Sequence, residues 1–461
     1  MPSLHTAPFV SSDEIRQVFS TALSRMYKRE VPQYGVLMEL VADVNATALR
    51  DAPELRTRLA LSQESARVDD ERHGAIRLGT ARELATVARM FAVLGMQPVG
   101  YYDLSAAGVP VHATAFRPVS DAALSHNPFR VFTSLLRLDL IADWALRDEA
   151  AQILARRQIF SPGALALLEI FEAQHGLTQP QASEFVEALI ETFRWHERAT
   201  VDASTYARLL AAHRLIADVV CFKGPHINHL TPRTFDIDAA QEEMLRRGLG
   251  AKAVIEGPPA RRCPILLRQT SFTALQEKVT FDGGGLEAEV IGAHTARFGE
   301  IEQRGVALTR AGRALYDNCL AQARSGDPSI DHASRMREAF KAFPDDLDAL
   351  RLRGLAFFRY TVAAPPVSDA EVSDLALDDL IASGIVHAEP LTYEDFLPVS
   401  AAGIFQSNLD GAKADAYAVS DARESFEQAL GRAVLDETEL YQDAEQRSIE
   451  RVRRALGRRA P

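Results

Sequence analysis

The chain reads as an α+β protein in which two βαβββ units stand side by side as half-barrels around an open cavity, with helices packed outside. Three observations predict this. A His followed four residues later by an Arg opens two similar stretches, at His73/Arg77 and at His229/Arg233. Each copy is followed by an amphipathic helical stretch and then by several strand-like segments. The interval between the copies has helical periodicity, so it forms a separate layer.

The elements follow in order. Ser11 and Ser12 offer N-caps to a helix over 12–28, whose stripe is Ile15, Val18, Phe19 and Leu23. A second helix follows Pro32 and runs from Tyr34 to Leu49. The first unit occupies 68–141: a strand His73–Leu78, a helix Ala81–Leu94 stopped by Gly95, and strands at 99–104, 109–119 and 129–136. Residues 142–218 are a helical insertion broken at Gly176 and Pro180. The second unit occupies 219–306, with a strand Ile227–Thr231, a helix Asp238–Arg247 and strands at 252–256, 264–269 and 296–304. Between Phe272 and Glu289 lies a longer strand connection with a Gly283-Gly284-Gly285 tip. The segment 307–461 adds a helix over 309–323, a buried strand over 353–363, a loop over 391–409 and a charged helix from Glu437. Residues 1–67 form an N-terminal helical segment.

Composition narrows the function. The length of 461 residues suits two or three domain-sized units. A net charge of −12 argues against a general nucleic-acid binder, yet leaves room for a small anion held by a few local Arg residues. No apolar run approaches the roughly 20 residues that span a bilayer, so no membrane association is expected. Cys221, Cys263 and Cys319 form no CxxC pair, and the first ten residues carry no basic-then-apolar leader. The expectation is a cytoplasmic protein.

The doubled histidine carries the chemistry. Ligands of a metal held between the units must come from their first and last strands. His73 and His229 occupy the first strands and Glu300 the last strand of unit two, the makings of a 2-His-1-carboxylate site. Aligning Phe129 with Phe298 sets Val131 opposite Glu300, leaving one position without a ligand. Fe(II) suits this set, and Zn(II) could occupy it too. A lone strand His is more often a hydrogen-bonded structural residue, and only the paired placement raises the odds. His226 competes with His229 but would lie on the opposite strand face; Glu302 shares the face of Glu300 and is the fallback ligand or a supporting group. His294 reads as peripheral and His112 as structural. Arg77 should point where His73 points, and a guanidinium beside a metal suits a dicarboxylate; the competing explanation is a salt bridge to an acidic neighbour.

The strings His73-Gly-Ala-Ile-Arg77, Asn228-His229-Leu-Thr-Pro-Arg233, Phe298-Gly-Glu300-Ile-Glu-Gln-Arg304-Gly305 and Leu397-Pro-Val-Ser-Ala-Ala-Gly403 resemble the 2-oxoadipate dioxygenase/decarboxylase family, also called hydroxyglutarate synthases. That family is similar to the vicinal-oxygen-chelate superfamily. The string around Glu300 also resembles the last metal strand of hydroxyphenylpyruvate dioxygenases, which favours Glu300 over Glu302. The resemblance implies Fe(II) on His73, His229 and Glu300. It implies conversion of 2-oxoadipate and O2 to 2-hydroxyglutarate and CO2 in lysine breakdown, with no separate cosubstrate. It also implies that Arg77, Val399 and Ser400 contact the substrate, with Arg77 serving catalysis by holding the distal carboxylate. The alternatives are another vicinal-oxygen-chelate metalloenzyme, such as an extradiol dioxygenase, an isomerase or an enzyme of a different 2-oxo acid, and a non-catalytic metabolite-binding protein of the same fold.

Overall fold

A computed structural model describes residues 8–61, 64, 67–272, 274–282, 289–363, 375–397 and 422–456. The fold is mixed α+β. No helix among the described residues is long and apolar enough to cross a membrane.

Local signals set the helix starts. Ser11 accepts the Glu14 N–H, and Glu14 returns a carboxylate to the Ser11 N–H, opening the helix Ser12–Glu30. Thr80 and Glu83 repeat the device at Ala81–Val93, and Gly95, at φ +67°, follows that helix. The second helix is Pro32–Asp51, with Pro at its first turn. A further helix, Pro53–Leu61, was not anticipated.

The first unit has the expected order: β1 (Arg72–Leu78), the helix Ala81–Val93, then β2 (Gln97–Asp103), β3 (Val111–Arg117) and β4 (Arg130–Leu136). β2, β3 and β4 run antiparallel, and β4 pairs with β1 in parallel. The helical insertion breaks near Gly176 and Pro180 as expected, giving Pro162–Gln174 and Gln179–Ile190. It is not wholly helical, because β5 (Arg198–Asp202) crosses it.

The later strands differ from the expected bounds. β6 is short (Leu230–Pro232) and begins just after His229. β7 (Leu267–Ser271) starts past Pro264 and past Leu266, whose φ of +52° interrupts extended backbone. The expected strand over 252–256 is reduced to flanking single bridges, Ala251 with Phe272 and Glu256 with Gln269. Gly257, at φ +104°, and the two prolines after it turn the chain away. The connection after Phe272 is a hairpin, β8 (Gln276–Asp282) and β9 (Val290–Thr295), which joins β5 in a separate sheet. Its Gly283–Gly285 tip lies outside the described residues. β10 is Glu300–Arg304 rather than 296–304, paired antiparallel with β7. β11 (Phe358–Val362), shorter than expected, pairs with β12 (Val386–Pro390), and the last helix is Glu437–Ala455.

One junction joins the two runs of strands. β6 lies antiparallel on β1, opposing Arg72 to Pro232, His73 to Thr231 and Gly74 to Leu230. The five-stranded order is therefore β2-β3-β4-β1-β6. Beyond β6, the Arg233–Glu302 bridge and the Thr234 N–H on the Glu302 carbonyl (2.7 Å) bring β10 alongside. At Gly74 the strands are so close that a Cβ would sit 2.5 Å from Ile227 Cδ1 and 3.3 Å from the His229 carbonyl. Gly74→Val should therefore destabilise the protein by about 1–3 kcal/mol, the cost of overpacking. Thermal or denaturant unfolding checks this; unchanged stability would mean that the junction yields easily.

Candidate metal centre

The β1–β6 register explains the site. His73 faces Thr231 across the junction, His229 sits one residue before β6, and Glu300 opens β10. Ligand atoms from His73, His229 and Glu300 all lie within 4.8 Å of one another, and each residue is at most 1% exposed. Tyr27, from the first helix, ties the later segments down: its hydroxyl lies 2.9 Å from the Asn228 carbonyl and 2.8 Å from the Phe298 carbonyl. Phe298 packs against the His229 ring and Phe396 against the His73 ring.

The donors are oriented, and some of their atoms are left over. Glu300 Oε1 takes Gln269 Nε2 (2.7 Å), the Thr231 hydroxyl (3.1 Å) and His73 Nε2 (3.1 Å). His229 Nδ1 meets the Thr231 hydroxyl at 2.9 Å. Among the described residues, Glu300 Oε2 and His229 Nε2 are buried without a hydrogen-bond partner. Burying such atoms unsatisfied costs about 1–3 kcal/mol each, and a bound cation removes that cost. The donor set thus fits a divalent metal of the imidazole–carboxylate class.

Glu302 works from the other side of His73. Its Oε2 lies 3.0 Å from His73 Nδ1, while Arg304 forks onto both carboxylate oxygens at 2.8 Å and Arg130 approaches at 3.4 Å. A carboxylate so engaged orients the imidazole. Burial alone would raise the Glu302 carboxyl, but Arg304 and His73 hold it at about 2. Burial alone would lower His73, but Glu302 and Glu300 hold it above its ordinary value. His229 is pushed down to about 4, chiefly by burial, so its ring is neutral at physiological pH.

Other expected residues separate. Arg77 shares the His73 face of β1, and its Nη1 donates to Asp218 at 2.6 Å. Arg233 is an ion-pair residue, bonded to Glu64 (2.9 Å) and Glu71 (3.0 Å). Val131 does not face the site. The parallel register sets His73 beside Arg130, so Arg130 and Phe132 share its face, while Val131 packs with Ile76 and Leu78 behind the sheet. His294 is not peripheral: it is 3% exposed and donates from Nε2 to Asp218 at 2.9 Å, with His226 Nε2 3.1 Å from the same oxygen. His112 is packed against Phe426. Val399 and Ser400 lie outside the described residues. Gln269, Asp218 and Phe396 were not foreseen. The strand position of Gln269 was a usable signal, whereas Asp218, 141 residues from Arg77 along the chain, left no local trace.

The chain was compared with known proteins. Residues 19–408 match the family model described as 2-oxoadipate dioxygenase/decarboxylase. A protein of that description from Escherichia coli is 56% identical over 446 residues, covering 96% of this chain and 98% of its own length. One from Pseudomonas putida is 56% identical over 459 residues, covering 97% and 98%. The crystal structure of the Pseudomonas putida hydroxyglutarate synthase in complex with 2-oxoadipate superposes with a TM-score of 0.88 at 53% identity, covering 97% of this chain and 99% of that one.

Two outcomes are expected in anaerobic metal titrations. Glu302→Gln should weaken divalent-metal binding by about 10–100-fold, because His73 loses its anionic support; wild-type affinity would remove that role. Metal uptake should release a proton, since His73 must be neutral to bind and its proton is held above the ordinary His value. Affinity should therefore fall as pH drops through that raised value, as calorimetry in buffers of different ionisation enthalpy can read.

Proposed function

This chain belongs to the 2-oxoadipate dioxygenase/decarboxylase family, and from that premise we propose that it converts 2-oxoadipate and O2 to 2-hydroxyglutarate and CO2, with Fe(II) held by His73, His229 and Glu300. One observation carries the reading: three buried donors converge, with Glu300 Oε2 and His229 Nε2 left unpartnered among the described residues. The atoms balance: the CO2 carries off the two oxygens of the head carboxylate, and both oxygens of O2 enter the hydroxy acid, one in its new carboxylate and one in its hydroxyl. We further propose that the strands form two βαβββ half-barrels of vicinal-oxygen-chelate type. The β1–β6 junction, the β10–β7 pair and the bridge at Glu256 support that arrangement.

Bound there, a redox-active ion supplies chelation of the 2-oxo acid head and activation of oxygen. The protein's own residues do the rest. Thr231 and Gln269 hold one oxygen of Glu300 and thereby aim the carboxylate. Glu302 and Phe396 fix the His73 ring, and Phe298 packs against that of His229. The donors' burial keeps bulk water from the reacting centre. Arg77, four residues along β1 from His73, takes the distal carboxylate, and Val399 and Ser400 complete that contact by family resemblance. Lys252, lowered to about 8 mainly by burial, is charged at neutral pH near Glu300 and adds attraction for a dianion. Lysine breakdown in the cytoplasm is the proposed setting; Cys221, Cys263 and Cys319, all unpaired thiols, suit a reducing compartment.

Oxygen uptake with a panel of 2-oxo acids tests the reading. 2-Oxoadipate should react fastest, yielding 2-hydroxyglutarate by mass and one CO2 per O2. Arg77→Ala should lower kcat/KM for it by about 100-fold, the usual scale for losing a buried charge contact. Equal turnover of monocarboxylate 2-oxo acids would remove the Arg77 clamp, and no uptake with any of them would sink the dioxygenase reading.

A further inference from the structure

Behind Arg77 lies a second buried polar cluster. Asp218, on the helix Arg214–Val220, is 6% exposed. Its Oδ2 accepts from Arg77 Nη1 at 2.6 Å, and its Oδ1 accepts from His294 Nε2 at 2.9 Å, with His226 Nε2 3.1 Å away. The far nitrogen of His294 meets the Tyr206 hydroxyl at 2.9 Å, which fixes the ring with its Nε2–H toward Asp218. Trp195 packs against both imidazoles, and Arg297 lies over Trp195 while pairing with Glu30 and Glu277. Arg77, His226 and His294 thus converge on one carboxylate, with Tyr206 and Trp195 behind the imidazoles.

Such an arrangement does something specific for an arginine. A buried guanidinium needs a counter-charge, and a long side chain loses rotamer freedom when it is held in one place. Asp218 meets both needs by binding one edge of the fork. The imidazole on Oδ1 occupies the carboxylate's other side, so Asp218 cannot swing away with the arginine. Burial alone would raise the Asp218 carboxyl, but His226 and Arg77 hold it well below the usual range, so it stays ionised.

We propose that Asp218 is a positioning residue that aims Arg77 and so sets the preference for 2-oxo acids bearing a second carboxylate, with His226 and His294 holding Asp218 in turn. This rests on Arg77 being the clamp for the distal carboxylate.

The test measures anaerobic binding to Fe(II)-loaded enzyme of 2-oxoadipate and of 2-oxohexanoate, which has the same chain length without the distal carboxylate. Asp218→Asn should raise the Kd for 2-oxoadipate about tenfold or more and leave 2-oxohexanoate and metal content unchanged. In an Arg77→Ala background the same substitution should add nothing. Equal weakening of both ligands, or tighter binding of 2-oxoadipate because a competing carboxylate was removed, would overturn the proposal. Should Asp218→Asn not accumulate as folded protein, His294→Phe keeps the ring and removes the hydrogen bond. About a threefold loss confined to the dicarboxylate is then expected, and no loss, or equal loss for both ligands, overturns the proposal. The two readings fail differently. If Arg77→Ala leaves the preference for 2-oxoadipate intact, the clamp itself is wrong; if it abolishes the preference while Asp218→Asn is silent, only the role of Asp218 falls.

Discussion

The antiparallel contact between β1 and β6 is the constraint on which the rest depends. It opposes His73 to Thr231 and continues past the strand end through the Asn228 N–H on the Ala75 carbonyl. Gly74 permits the approach, because any Cβ there would press on Ile227 and on the His229 backbone. With that register fixed, two histidines 156 positions apart in the numbering face one space. The bridge from Arg233 to Glu302 then draws β10 in, and Glu300 follows. A slip of one residue would turn His73 to the apolar side of the sheet, where Ile76 and Leu78 pack.

Around this junction the protein buries much charge. Glu71 lies among Arg130, Arg233 and Arg304; Glu394 is held by Arg67 and Arg130; Asp395 takes a fork from Arg117. Each ion costs several kcal/mol to desolvate, so such a network is a weak source of net stability. Its value here is geometric. Glu302 belongs to it through Arg304 and Arg130 and also touches His73, so the orientation of one candidate metal donor is linked to a framework of fixed charges. Glu300, two residues earlier, touches no arginine in this network; Thr231, Gln269 and His73 meet one of its oxygens, and the other has no hydrogen-bond partner among the described residues. Two carboxylates on one strand face thus take different tasks because their neighbours differ.

The two His-x-x-x-Arg copies diverge in the same way. Both histidines reach the donor cluster, but Arg77 turns to Asp218 and Arg233 to Glu64 and Glu71. β1 is a full seven-residue strand, so Arg77 keeps the His73 face. β6 ends at Pro232, and Arg233 leaves the strand toward the second helix, where Asn45 accepts the Phe235 N–H and donates to the Arg233 carbonyl. A repeated motif thus gave two arginines with different carboxylate partners.

What the sequence by itself determined was local or periodic. The capping boxes at Ser11–Glu14 and Thr80–Glu83, the break at Gly176 and Pro180, and the βαβββ order of the first unit all follow from contacts within a few residues. His73, His229 and Glu300 were legible as a candidate set because residue type and repeated placement are sequence properties, and in the fold their donors do meet. Only the tertiary structure decided register and partnership. Val131 was assigned to the cavity, but the β1–β4 register sets Arg130 and Phe132 there. The strand expected at 252–256 dwindled because the turn at Gly257 left it two bridges. His294 looked peripheral, yet it is buried beside Asp218, because β9 joined a sheet with β5 and β8 that no local pattern announced. For Val131 and His294 the physical reason lies in strand pairing. A strand's period of two states which residues share a face, and only the pairing of distant strands states which face is the inside.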